Sequence, residues 1–121
     1  MNGWRVALAL FGLPALLALA ACSGGGAQAN AGTEIARAQV EHGRELFRNK
    51  GCVTCHQNDR VEGETGIYGI GPNLTDYRND AEFLRQWLAD PGEVRPNTQM
   101  PDLDLSAEEI EALIAFLNEP R

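Results

Sequence analysis

The sequence predicts an all-α domain of three helices joined by long irregular loops. Three observations point there. Apolar residues recur at helical spacing in three separate segments. No alternating strand pattern of useful length occurs anywhere. Two stretches, 58–77 and 91–105, are too long and irregular for a compact domain unless they wrap a bulky group.

Residues 1–21 read as a leader. Arg5 gives a charged start, Val6 to Ala21 is almost wholly apolar, and small residues close the stretch. Gly12 and Pro14 interrupt it, and a permanent span needs about 20 apolar residues. Leu19-Ala20-Ala21-Cys22 resembles the signal of bacterial lipoproteins, which implies that Cys22 is acylated and becomes the new N-terminus. From Cys22 to Thr33 the Gly/Ser/Ala/Asn mixture reads as a flexible linker, spanning about 17–20 Å root-mean-square.

The folded domain is then 34–121. Its first helix runs from Glu34 to Asn49, with Ala36, Val40, Gly43 and Phe47 on one face and Leu46 widening it; Lys50-Gly51 ends it. The second runs from Ala81 to Ala89. Asn79 and Glu82 read as a capping box, Phe83, Leu84, Trp87 and Leu88 supply the apolar face, and Asp90-Pro91-Gly92 closes it. The third follows Ser106, which with Glu109 forms a second capping box. Ile110, Leu113, Ile114 and Leu117 recur at helical spacing, and Ala112 and Phe116 broaden the surface until it must pack on two things at once.

A domain this small buries only about 60–65% of its unfolded surface and commonly needs a staple or a prosthetic group. Cys52 and Cys55 are its only cysteines, and a disulfide between them would close a tiny loop. The chain carries 17 acidic against 10 basic residues, a net charge of −7, and losing Arg5 makes it more negative still; nucleic acid is excluded as a partner.

The chemistry centres on Cys52-Val53-Thr54-Cys55-His56. A redox dithiol wants such a pair beside a βαβ unit, and the strands are missing. A zinc site could draw on Cys52, Cys55, His56 and His42, but adjacent Cys55 and His56 point badly for joint chelation, and the usual spacing of ligand pairs is absent. Cys-X-X-Cys-His is also the attachment signature of c-type haem. Both thiols then bind the porphyrin, His56 ligates the iron, and one haem becomes the core of an undersized domain. For the sixth ligand, the residues after the leader offer His42 and Met100. His42 reads as a surface residue of the first helix, and Met100, an apolar residue in a polar loop, is the better axial ligand.

Over 34–121 the chain resembles the class I c-type cytochromes. Gly43-Arg-Glu-Leu-Phe47 and Leu113-Ile-Ala-Phe116-Leu117 are similar to that family's paired terminal helices. Gly71-Pro72-Asn73-Leu74 is similar to its loop whose proline carbonyl accepts a hydrogen bond from the ligand histidine, and Met100-Pro101 to its methionine loop. The segments GIGPNLTDY, FLRQWLADP and TQMPDLDLSAEEIEALIAFL resemble the haem domain fused to subunit II of some bacterial cytochrome c oxidases.

The resemblance implies terminal helices packed together, loops wrapping one covalent haem c, ligation by His56 and Met100, a Pro72 carbonyl bonded to His56, and Trp87 in the haem environment. It implies one-electron transfer by a carrier, not an enzyme: a lipid-anchored monomer of a respiratory or photosynthetic chain. The anchor would hold it in the cell envelope, with the haem domain in the periplasm or on the outer face of the plasma membrane. Its partners would be redox proteins such as a terminal oxidase or an upstream quinol-oxidising complex. An alternative is a cytochrome subunit docked permanently to an oxidase, reductase or dehydrogenase as its electron port. A third reading, a sensor or peroxidase, would need Met100 to leave the iron.

Overall fold

Helices succeed one another with no intervening strand among residues 25–120, the part of the chain described by the computed structural model. They are α1 (Gly25–Asn49), α2 (Cys52–Cys55), α3 (Ala81–Ala89), α4 (Pro91–Val94) and α5 (Ala107–Asn118). The leader, Cys22 and the first linker residues lie outside this range.

Helix α1 starts at Gly25, earlier than the expected Glu34, so residues 25–33 are helical where the sequence reads as flexible linker. Alanine and glutamine here are good helix formers, and they extend a helix already nucleated by packing further along. Residues 30–39 are all exposed, and Val40 is the first described residue of α1 to pack against the core. At the other end the expected stop holds. The Lys50 N–H donates to the Leu46 carbonyl at 2.8 Å, and Gly51 turns left-handed at φ +81°, a conformation glycine adopts without strain.

The start of α3 differs from the reading. Asp80, not Asn79, is the cap: its carboxylate accepts from the Glu82 and Phe83 N–H groups at 3.0 and 3.1 Å. Asn79 instead ties α3 to the end of α5, donating its N–H to Asn118 Oδ1 at 3.0 Å while Asn118 Nδ2 donates to the Asn79 carbonyl at 2.9 Å. Asp90 closes α3 as expected, but it also caps a further turn, α4. Its side chain accepts from the Glu93 N–H, and Pro91 takes the first helical position, where no N–H is needed.

The α5 capping box forms in both directions. Ser106 Oγ accepts from the Glu109 N–H at 3.2 Å, and Glu109 Oε2 accepts from the Ser106 N–H at 2.9 Å. The other end is capped by a residue distant in sequence. Arg60 Nη1 donates to the Phe116 carbonyl at 2.8 Å, placing a cation where the helix dipole is negative, and the guanidinium lies 4.5 Å from the centre of the Phe116 ring.

The terminal helices cross at Gly43. A Cβ there would lie 2.0 Å from the Ala112 carbonyl oxygen and 2.7 Å from Phe116 Cβ, so only glycine permits this approach. Phe47 and Phe116 pack beside the crossing with ring centres 5.7 Å apart and planes tilted by 60°. Leu46, Ile110, Leu113, Ile114 and Leu117 extend this core, and Leu84 and Leu88 bring α3 against it.

Candidate functional site: a cavity lined by thiols, imidazole and thioether

The α2 turn follows directly from the left-handed Gly51 and sets Cys52 and Cys55 one helical turn apart. His56 leaves the helix with extended backbone at φ −108°, its N–H still bonded to the Cys52 carbonyl at 2.9 Å. The loop that follows runs back along this turn. The N–H groups of Gly66, Tyr68 and Gly71 donate to the carbonyls of Val53, Thr54 and Cys55 at 2.7, 3.0 and 3.0 Å.

That strap fixes the imidazole. His56 Nδ1 lies 3.0 Å from the Pro72 carbonyl, so as donor it leaves Nε2 unprotonated and able to coordinate. Gly71 presses on the ring: a Cβ there would come within 2.5 Å of His56 Cε1 and Nδ1. A buried residue holds the strap. Asn58 is fully buried, donating from Nδ2 to the Leu74 carbonyl at 3.3 Å and accepting the Arg60 N–H at 3.0 Å, while its own N–H donates to Thr65 Oγ1 at 3.0 Å. Sequence reading missed Asn58, Arg60 and the pressure of Gly71, because each works through a partner far along the chain.

Met100 comes from the other long loop. Its N–H donates to Thr98 Oγ1 at 3.2 Å, Asn97 takes a left-handed φ of +91°, and Trp87 Nε1 donates to Met100 Sδ at 3.0 Å. Cys52, Cys55, His56, Pro72, Trp87 and Met100 all line one cavity of about 580 Å³. Its remaining wall is largely apolar, with Phe47, Leu84, Leu88 and Leu113 among the residues behind it. All the residues singled out for this site from the sequence therefore meet, except Cys22, which lies outside the described residues. His42 is exposed on α1 and does not line the cavity.

The surroundings also weigh against the competing chemistries. Burial pushes the Cys52 thiol up to about 11, against a smaller lowering by a backbone hydrogen bond and a further rise from Cys55. A dithiol catalyst needs its attacking thiol lowered, not raised. Zinc needs a cluster of ligands, and among the described residues no three His, Cys, Asp or Glu side chains group to hold a metal ion. A flat macrocycle does fit: two thiols on one edge of the cavity, an imidazole whose outer nitrogen is already hydrogen-bonded, a thioether, and apolar walls.

Residues 40–119 match the family described as cytochrome c. The chain is also similar to proteins named cytochrome c oxidase subunit 2. It is 33% identical to that of Alkalihalophilus pseudofirmus over 89 residues, which is 64% of this chain and 25% of the relative. It is 29% identical to that of Bacillus sp. strain PS3 and 27% to that of Bacillus subtilis, with the same shares covered. This chain thus spans about a quarter of the length of the curated relatives it matches. No solved structure matches it at a significant level.

Proposed function

This chain belongs to the cytochrome c family, an electron carrier with covalently bound haem c, and on that premise we propose that it is a membrane-anchored carrier in which His56 and Met100 would ligate the haem iron. Haem c supplies the one-electron Fe(II)/Fe(III) couple. Cys52 and Cys55 would hold the group through thioether bonds. The Pro72 carbonyl fixes the His56 tautomer and the orientation of its ring. Trp87 orients the Met100 thioether by donating to its sulfur. Phe47, Leu84, Leu88 and Leu113 keep water out, which together with methionine ligation favours the less charged reduced state.

The observation that carries the reading is the meeting of the α2 thiols, His56 and Met100 around one cavity. Met100→Ala tests it. The variant should keep covalent haem but lose the far-red absorption between sulfur and ferric iron, and it should bind cyanide or carbon monoxide readily. A wild-type spectrum of bis-histidine type that disappears in His42→Ala would overturn the ligand assignment.

The likeness to oxidase subunit 2 proteins supports a terminal oxidase as a redox partner; a quinol-oxidising complex would be the matching donor upstream. The likeness equally supports a second reading, a subunit docked permanently to such a complex as its electron port. Affinity purification from detergent extract separates them: a carrier comes alone with its redox chemistry intact, and a subunit brings its partner. Acylation of Cys22 would anchor either form in the cell envelope, with the haem domain in the periplasm or outside the plasma membrane.

A further inference from the structure

Two stretches run side by side at the site, 55–59 and 71–75, and successive bonds join them almost in step. The Gly71 N–H donates to the Cys55 carbonyl at 3.0 Å, and His56 Nδ1 lies 3.0 Å from the Pro72 carbonyl. The Leu74 N–H donates to the Gln57 carbonyl at 2.8 Å, Asn58 Nδ2 donates to the Leu74 carbonyl at 3.3 Å, and the Asp59 N–H donates to Thr75 Oγ1 at 3.0 Å. The partners of His56, Asn58 and Asp59 all lie 16 residues further on. Asn73 stands out of this ladder, its side-chain oxygen accepting the Thr75 N–H at 2.8 Å instead. The register has no slack. A Cβ at Gly71 would come within 2.5 Å of the imidazole, so a slip of one residue would press the side chain of Ile70 or Pro72 on the ring and set a different carbonyl at Nδ1.

Main-chain bonds alone do not choose a register, since every residue but proline offers the same N–H and C=O. Asn58 does choose one. It is fully buried, and both ends of its amide are committed, Nδ2 to the Leu74 carbonyl and Oδ1 to the Arg60 N–H at 3.0 Å. A slip would strand that amide without partners in the interior, at the full desolvation cost of each polar group. Arg60 in turn donates from Nη1 to the Phe116 carbonyl at 2.8 Å, which references the ladder to the end of α5. We propose that Asn58 is a positioning residue for electron transfer: its side chain sets the register that keeps the Pro72 carbonyl on His56 Nδ1, and so holds the ligand imidazole in one plane in both oxidation states. Thr75, buried beside it, closes the same register from the next rung. Partners that bond the outer nitrogen of a ligand histidine fix its ring orientation; Asn58 acts one step behind, on the carbonyl that does the fixing. The role rests on the reading of His56 as an axial ligand and deepens it by naming what holds that ligand still.

The experiment compares holoprotein variants by NMR. Asn58→Leu replaces the amide with an apolar group of similar volume, and the Gly71 and Leu74 amides should then exchange with solvent about tenfold faster or more. In the ferric protein the spread of the paramagnetically shifted haem methyl resonances should also change, because that spread follows the plane of the axial imidazole. Thr65→Val is the control. Thr65 Oγ1 accepts the backbone N–H of the same Asn58 at 3.0 Å, outside the ladder, so this variant should keep the wild-type spread whatever stability it loses. An unchanged spread in Asn58→Leu, or an equal change in both variants, would overturn the role and leave ligation by His56 standing. If Asn58→Leu yields no holoprotein, Thr75→Val decides, since it removes the acceptor of the Asp59 N–H. It should alter the spread where Thr65→Val does not, and a wild-type spread there would overturn the role. A wild-type holoprotein whose spectrum shows another residue in place of His56 would overturn both the role and the ligand assignment.

Discussion

Gly43→Ala sets two effects of opposite sign against each other. Alanine is the better helix former by about 1 kcal/mol, so propensity alone predicts a more stable protein. Packing predicts the reverse. The new Cβ would stand 2.0 Å from the Ala112 carbonyl oxygen, 2.6 Å from its carbon and 2.7 Å from Phe116 Cβ, where ordinary carbon contacts lie at about 3.5–4.0 Å. Two of those three neighbours are helix backbone, which cannot rotate away, so α1 and α5 must separate by more than about 1 Å. Overpacking of this kind costs about 1–3 kcal/mol and more when backbone is the obstacle. The parted helices also loosen the Phe47–Phe116 contact, worth roughly 0.5–1.5 kcal/mol beyond burial. The net expectation is a loss of about 2–3 kcal/mol. Guanidinium titration of the holoprotein measures it, with Gly32→Ala as control: nothing lies within 4 Å of a Cβ there, so that variant should be neutral or gain up to about 1 kcal/mol. A Gly43→Ala protein as stable as the wild type would refute the crossing.

Phe116→Ala, at a residue with no exposed surface, should cost about 3–5 kcal/mol by the same titration; a loss below about 1 kcal/mol would contradict its place in the core. Trp87→Phe removes the donor to Met100 sulfur and should lower the reduction potential by at most the worth of one hydrogen bond, about 1 kcal/mol or roughly 40 mV for one electron, read by redox titration. Hydrogen bonds from Lys50 and from the Ser106 backbone hold the Glu109 carboxyl below its ordinary 4.5. A lowered folded value stabilises above the ordinary one and is lost as pH falls through the lowered one, so Glu109→Gln should flatten the acid limb of stability below about pH 4.5 and change nothing in shape near neutrality. On the proposal that Cys22 is acylated, Cys22→Ser should block processing or release a soluble domain without altering the haem spectrum; an unacylated N-terminus in the wild type, read by intact mass, would refute it.

What was legible in the sequence is what local spacing encodes. The α5 capping box and the Lys50-Gly51 stop follow from residues a few positions apart, and each stands where expected; the Gly43–Phe47–Phe116 contact, between distant parts of the chain, was expected only from the resemblance to class I c-type cytochromes, and it forms. The α3 cap was misplaced by one residue because Asn79 and Asp80 both cap well, and only the bond from Asn79 to Asn118 at the far end of α5 decides between them. The early start of α1 was hidden for a different reason: the glycines in 25–33 lower intrinsic propensity, while the packing that nucleates the helix begins only at Val40. At the site, Cys52, Cys55 and His56 declare themselves by spacing. The residues that aim them do not. Asn58 and Gly71 act on partners 15 or 16 positions away, and no periodicity records such a pairing.

The breadth of the apolar surface on α5 finds its reason in the same geometry. Phe116 meets Gly43 and Phe47 on α1, whereas Leu113 and Leu117, on the same helix, also line the cavity. Phe47 does both at once. Core and site are therefore one contiguous apolar body, and the long loops close it by covering the group it holds. Leu74 shows how: the Asn58 side chain anchors its carbonyl, its N–H donates to the Gln57 carbonyl at 2.8 Å, and its buried side chain lies against the cavity. Lengths of chain that would be unaccountable in a domain packed on itself become walls. The strap over residues 66–71 is a wall of the same kind: its backbone covers the thiol turn with hydrogen bonds, and its Ile70 side chain lines the cavity.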